Sequence, residues 1–293
     1  MNRNFVDVFF KWFFAAFAFF AIIILLIITF FIFSEGVKPF LPGNAEGTIS
    51  LWDFLTGLEW DPGNDKYGIG YMIVGTIYST AIAIFVAVPI ALFSSMAIVE
   101  LLPKRISGIV ISIIELLAGV PSVIFGIFGL GFIVPLIANI PFNSQPQGNS
   151  LLAVSIVLTI MILPTITAVS ISALKSVPSK YKEASLALGA TKIQTLTKVT
   201  LPAAKSGILA GVVLGVGRAI GETMAVVLVA GNVAGGLPLG VFDPIRPMTA
   251  NIAVDMSYAS GLHQQVLFST ALVLFVFVFI LNVILQRLLK RGR

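Results

Sequence analysis

Six stretches of this chain run apolar for roughly 20 residues or more, the length that carries a helix across a hydrocarbon core of about 30 Å. They cover residues 12–33, 71–99, 109–138, 151–174, 208–233 and 266–289. Lipid offers no partner to a backbone N–H or C=O, so each stretch must satisfy its own as a helix. The expected fold class is all-α, a polytopic membrane protein with six transmembrane helices. The third stretch is the one expected to bend or re-enter, because Pro121 and Pro135 interrupt its hydrogen-bond ladder. With 58% hydrophobic and only 11% charged residues, too little polar side chain remains to clothe a soluble globule of 293 residues. Cysteine is absent and His263 is the sole histidine, which excludes thiolate and histidine-based metal centres.

The net charge of +5 does not point to nucleic acid, because the basic residues flank the apolar runs instead of gathering on one polar face. Arg3 and Lys11 precede the first span, and Lys104 and Arg105 lie between the second and third. Lys175, Lys180, Lys182, Lys192, Lys198 and Lys205 separate the fourth from the fifth, and Arg287, Lys290, Arg291 and Arg293 follow the sixth. That puts fourteen on one side, against Lys38, Lys66 and Arg246 on the other and Arg218 within a span. The positive-inside rule then predicts both termini in the cytoplasm. The opposite loop, 34–70, is acidic, with Glu35, Glu46, Asp53, Glu59, Asp61 and Asp65. The first span is long and no small-residue cleavage site follows it, so it is expected as a retained anchor.

Residues 175–207 form the longest basic loop. Ser179 is placed to cap a short helix ending at Gly189. Thr191 and Gln194 make a capping-box pattern that starts a second helix, which Pro202 is expected to stop before the fifth span. On composition alone these lysines need do no more than set topology and touch anionic lipid. No Gly-x-x-x-x-Gly-Lys-Ser/Thr phosphate loop occurs in the sequence.

In the fifth span Gly207, Gly211 and Gly215 recur every fourth residue, and Gly217 and Gly221 make a neighbouring stripe, a pattern that lets helices pack closely. Counted from Ile208, Arg218 falls about 15 Å along the helix, near the bilayer midplane. A charge there costs on the order of 3 kcal/mol, so it must face protein or water. Glu222 follows one turn later and is expected to share its face and to be able to pair with it. Two readings fit: a structural ion pair, or an arginine fork that meets an oxyanion in transit while Glu222 orients or screens it. Glu115 reads either as a partner of the loop lysines or as a gate contact. Pro121, Gly126, Gly129 and Gly131 fit a moving element or static packing equally. Trp52 and Trp60 read as interfacial anchors or as a lip for a docking partner. His263 is expected to be solvated or interfacial, and Asp243 to pair with Arg246. From the residues, the rival function is an ion-coupled secondary transporter of an oxyanion. Such carriers usually hold more intramembrane carboxylates than Glu115 and Glu222.

The spacing Glu183-Ala184-Ser185, three residues, Gly189, nine residues, Val199-Thr200-Leu201-Pro202 resembles the signature of ABC-importer permeases, Glu-Ala-Ala followed by Gly and a later Ile-x-Leu-Pro. Ser185 replaces the second Ala and Val199 the Ile. The string from Gly217 to Val226, with Leu116-Leu117-Ala118-Gly119-Val120-Pro121-Ser122 and Phe125-Gly126, is similar to PstC-type permeases of the phosphate-specific transport system. The sister PstA type typically continues Gly-Glu-Thr with Ala-Pro. The likeness extends over essentially the whole chain. It implies a type I ABC-importer permease (MetI-like) fold, with an anchor helix and acidic outer loop over 1–70 and the permease core over 71–293. It further implies a cytoplasmic coupling loop at 175–207, where Glu183, Ala184, Ser185, Gly189, Leu201 and Pro202 meet an ATPase. A substrate pathway at Arg218 and Glu222 follows from it, as does a gate or helix break at Glu115, Pro121 and Ser122. No cofactor or metal is expected on this chain, ATP and Mg being held by the ATPase. The implied partners are a PstA-type sister permease, two PstB-type ATPase subunits and a PstS-type phosphate-binding protein, in a bacterial or archaeal cytoplasmic membrane.

Overall fold

The computed structural model describes residues 3–141 and 147–291. Of the basic residues that set the expected orientation, the side chains of Arg3, Lys290, Arg291 and Arg293 lie outside the described residues. Helix α1 (Arg3–Val37) leads into a loop holding the short helix α2 (Leu51–Thr56) and an antiparallel ribbon of β1 (Trp60–Asp61) and β2 (Lys66–Tyr67). Next come α3 (Gly70–Met96), α4 (Lys104–Ala118), α5 (Ser122–Phe128), α6 (Val134–Ala138) and α7 (Leu151–Lys175). The chain closes with α8 (Ser179–Ala187), α9 (Lys192–Thr195), α10 (Leu201–Gly221), α11 (Met224–Val229), α12 (Met248–Asp255) and α13 (Gly261–Arg291).

Among the described residues, five helical runs are long and apolar enough to cross a membrane: Val8–Phe40, Gly70–Leu101, Leu151–Lys175, Lys192–Gly221 and Gly261–Arg287. The third apolar stretch is a bent pair, α4 and Ser122–Ala138, meeting at 93°, which brings the crossings to six when the pair is counted as one span. The cause is local. Helix α4 ends at Ala118, and Pro121, which has no N–H to give, takes an extended backbone (ψ 136°) at the start of α5.

Helix α7 is the axle of the bundle. Its Val154, Met161, Ile162 and Ile166 are fully buried, as befits a helix that is apolar all round. It packs on α3 and, antiparallel, on α10. A Cβ added to Gly207 would sit 2.6 Å from Ala173 Cβ, one at Gly211 3.0 Å from Val169 Cβ, and one at Gly215 2.7 Å from Ile166 Cδ1. The first glycine stripe is thus the contact surface of α10 with α7. Gly126 and Gly129 also resolve to packing: a Cβ there would meet Ala225 Cα at 2.7 Å and Val157 Cγ2 at 2.6 Å, whereas Gly131 faces open space.

The fifth apolar stretch departs from expectation at both ends. Pro202 does not stop the preceding helix. A π-helical turn, Leu196–Thr200, carries α9 into α10, and Pro202 falls in the first turn of α10, where its missing N–H breaks little. At the other end α10 stops at Gly221, well short of residue 233, and Glu222 is extended (φ −69°, ψ 128°).

At the ribbon end, the loop between α1 and α3 shares a core with α12 and α13: Phe54, Trp60, Ile69 and Tyr71 pack with Met248, Val266 and Leu267. Trp60 is neither a lip nor a membrane anchor, because it is buried with its indole N–H donated to Asp255 Oδ2 (2.7 Å); Trp52 is exposed. Arg246 pairs with Asp255 at 2.6 Å, and not with Asp243, whose carboxylate accepts the backbone N–H groups of Leu239 and Gly240. His263 is half-buried rather than solvated, its Nε2 3.4 Å from Asp255 Oδ2 and its ring beside Trp60 and Tyr67. Burial, with the Asp65 carboxylate adding to it, pushes the Tyr67 hydroxyl above the usual tyrosine range. The end of α1 joins this assembly through Phe31 against Phe268 and the Ser269 hydroxyl donated to the Gly36 carbonyl (2.7 Å).

Candidate functional site: an exposed helical corner and a membrane-embedded arginine

The corner is built at the end of the bundle opposite the ribbon. Pro178, not Ser179, occupies the position before α8, since its extended backbone (ψ 133°) ends the preceding turn and Ser179 is the first helical residue. The helix ends at Ala187, and Gly189 adopts φ +84°, the left-handed conformation that reverses the chain at little steric cost only for glycine. The Ala190 N–H closes the corner on the Ser185 carbonyl at 3.2 Å. Thr191 and Gln194 then form both halves of a capping box, at 3.2 and 2.9 Å, and start α9. Across the corner the Ser185 hydroxyl lies 2.9 Å from Thr195 Oγ1, so the residue that departs from the Ala of the motif ties the two helices together.

What the corner presents is apolar and small. Leu188 is 90% exposed and Ile193 66%, beside exposed Ala184 and Gly189. Glu183 is exposed without an ion pair or hydrogen bond among the described residues. Leu201 packs on the Ala173, Leu174, Val177, Ala204 and Ile208 cluster that seats the corner on α7 and α10, while Pro202 is exposed. Lys182 is ion-paired to Glu100, in the π-helical turn Ala97–Leu101 that ends the α3 run. Glu100 carried no signal in the sequence, because the pairing depends on a fold that brings residues 82 apart together.

The second element surrounds Arg218. The expected Arg218–Glu222 pair does not form among the described residues. With α10 ending at Gly221, Glu222 leaves the helical face of Arg218 and is buried elsewhere. Its Oε1 accepts the Ala225 N–H at 3.2 Å, satisfying the first turn of α11, and its carbonyl accepts the Thr249 hydroxyl at 2.8 Å. Half-buried Arg218 donates from Nη1 to Thr165 Oγ1 (2.7 Å) and to the Ala118 carbonyl (3.4 Å). Ala118 ends α4, where the last carbonyls lack helical partners and a cation is favoured. Three spans therefore converge on one guanidinium with no carboxylate in ion-pair range among the described residues. Thr165 escaped notice because α7 carries hydroxyls at Ser155, Thr159, Thr165, Thr167, Ser170 and Ser172, and only tertiary register selects one of them.

The other members of the candidate set are scattered. Glu115 is exposed on α4, unpaired among the described residues, so no lysine of the 175–207 loop meets it. Pro121 and Ser122 stand at the 93° bend, next to the carbonyl that Arg218 reaches. Beside Arg218, a Cβ on Gly217 or Gly221 would meet nothing within 4 Å, so this second glycine stripe borders open space, unlike the first. No group of three or more His, Cys, Asp or Glu side chains is placed to hold a metal ion among the described residues.

Comparisons with known proteins fit this architecture. The profile of the family described as "Binding-protein-dependent transport system inner membrane component" matches residues 87–293. A "Probable ABC transporter permease protein YqgH" of Bacillus subtilis is 38% identical over 91% of this chain and 85% of that protein. The "Phosphate transport system permease protein PstC" of Mesorhizobium japonicum is 36% identical over 82% of this chain and 79% of its own length. In fold, the chain is similar to a subunit of a bacterial ABC transporter involved in alginate import, with TM-score 0.67, 17% identity and 99% of both chains covered. It is similar as well to the MetNI methionine ABC transporter in an inward-facing conformation, with TM-score 0.58, 19% identity, and 77% of this chain and 94% of that one covered. The chain belongs to the binding-protein-dependent transport system inner membrane component family, as a multi-pass permease subunit of the PstC type.

Proposed function

We propose that this permease carries inorganic phosphate from an external binding protein into the cytoplasm by alternating access, with Arg218 on the anion's route. The observation that carries the reading is the state of Arg218: a guanidinium inside a membrane-spanning bundle, oriented by a hydroxyl and a carbonyl and, among the described residues, not neutralised by a carboxylate. An intramembrane arginine left with its charge is a costly arrangement, and a multiply charged oxyanion is the ligand that makes use of it. The break between α10 and α11, with bare backbone at Gly217 and Gly221, supports the same reading, since discontinuous helices recur where transporters receive substrate. Glu222 holds that break in shape.

In this scheme the termini and the 175–207 corner face the cytoplasm, where the exposed Leu188 and Ile193 enter a groove of a separate ATPase that binds ATP and Mg. A PstA-type sister permease supplies the other half of the path, two ATPase subunits drive the cycle, and a phosphate-binding protein docks on the opposite side. Residues 71–293 form the working core, and 1–70 contribute the anchor and the outer loop. Deleting the gene in its host is expected to abolish high-affinity phosphate uptake, which the wild-type gene restores, and to leave sulfate uptake unchanged. Loss of sulfate uptake with phosphate uptake unchanged overturns the assignment.

A further inference from the structure

The same site holds a residue with a part of its own. We propose that Thr165 is a positioning residue for anion passage: it aims the Arg218 guanidinium while leaving its charge free. This rests on the reading of Arg218 as part of the phosphate route.

Three observations lead there. The Thr165 hydroxyl takes a 2.7 Å hydrogen bond from Arg218 Nη1, the shortest contact the guanidinium makes. The other Nη1 contact, to the Ala118 carbonyl at the end of α4, is long at 3.4 Å, so Thr165 is the firmer anchor. Among the described residues Nε and Nη2 have no hydrogen-bond partner, so one anchored nitrogen leaves the rest of the fork facing outward from the contact. A fork with one arm held is pre-organised for a planar, two-point grip on an oxyanion.

The choice of a hydroxyl has a chemical consequence. A carboxylate at position 165 would hold the arginine more strongly, yet it would cancel the charge and compete with each arriving phosphate. A neutral acceptor fixes direction without that competition. Conduction needs a site that binds weakly enough to release, and a single arginine steadied by a neutral partner meets that condition. Thr165 also stands on the most buried of the membrane-crossing helices, between buried Pro164 and Ile166, so packing fixes the backbone that carries it.

The test uses the full complex in vesicles, with the ATPase, the sister permease and phosphate-loaded binding protein, and reads uptake as a function of binding-protein concentration. Thr165→Val keeps the shape and removes the acceptor. It is expected to lower the maximal uptake rate roughly tenfold with the half-saturating binding-protein concentration unchanged, because docking is intact and passage is not. Thr165→Ser is expected to remain within about twofold of wild type, as the acceptor is kept. Thr165→Asp, which can hold the arginine but cancels its charge, is expected to be as slow as Thr165→Val or slower. If Thr165→Val does not assemble, Thr165→Cys replaces it with the same expectation. Arg218→Lys in the same assay separates the two claims. Impaired Arg218→Lys beside a Thr165→Val of wild-type rate overturns the role of Thr165 alone, and wild-type rates in both overturn the reading of Arg218. A serine variant no faster than the valine one, or an active Thr165→Asp, assigns Thr165 to packing and overturns the inference.

Discussion

Gly189→Trp is expected to yield a complex that inserts and assembles but takes up phosphate at less than roughly a tenth of the wild-type rate. The position explains why the two readouts separate. Among the described residues a Cβ at Gly189 meets nothing within 4 Å beyond its chain neighbours, so the bulk is accommodated without disturbing the bundle. The left-handed backbone at φ +84° adds a local cost of about 1–2 kcal/mol, too little to unfold six packed helices. What the indole does disturb is the outer surface of the corner, where Leu188 and Ile193 stand free and where a closely fitting partner has no room for a wedge. Gly189→Asn is the control, since asparagine tolerates the left-handed region and stays small; it is expected to keep most of the activity. Uptake per assembled complex, with ATP hydrolysis measured in parallel, checks both. A tryptophan variant with normal uptake removes the corner from the coupling path.

Arg218→Lys is the second substitution with a large expected effect, a loss of roughly tenfold or more in uptake with assembly preserved. Lysine keeps the positive charge, so any role limited to charge survives the change. It has a single ammonium in place of a fork and cannot hold Thr165 Oγ1 while presenting two further parallel donors to an anion. The contact to the Ala118 carbonyl, at the bend between α4 and α5, is lost with it. Uptake at the wild-type rate in this variant assigns Arg218 to a structural or steering part.

The spans were legible because lipid forces a run of apolar residues to be a helix of fixed minimum length, and the bend at Pro121 because proline withholds a hydrogen bond. The Thr191–Gln194 capping box and the Gly189 corner were legible for a similar reason, each being decided by neighbours a few residues apart. Charge pairing was not. Glu222 lies one turn beyond Arg218 in sequence, but the helix that would have aligned them ends at Gly221, and a buried carboxylate took the nearer orphan N–H of α11 instead. Asp243 lost Arg246 to Asp255 in the same way, by capping its own turn first. Trp60 reaches that aspartate across 195 residues of chain, which no local pattern announces, and His263 at the start of α13 joins them. Pro202 shows the converse: a strong helix breaker read in isolation becomes a permitted first-turn residue once a π-helical turn precedes it. Polar contacts inside a lipid-facing bundle are therefore set by tertiary register, while the bundle itself is set by hydropathy.

The most direct measurement is accumulation of labelled phosphate in vesicles carrying the whole complex, with the binding protein outside the membrane and ATP on the side of the 175–207 corner. The account predicts phosphate concentrated against its gradient only when ATP is present, and unaffected by a protonophore. Uptake that proceeds without ATP and collapses when the proton gradient is dissipated would contradict it and return the chain to the ion-coupled carriers.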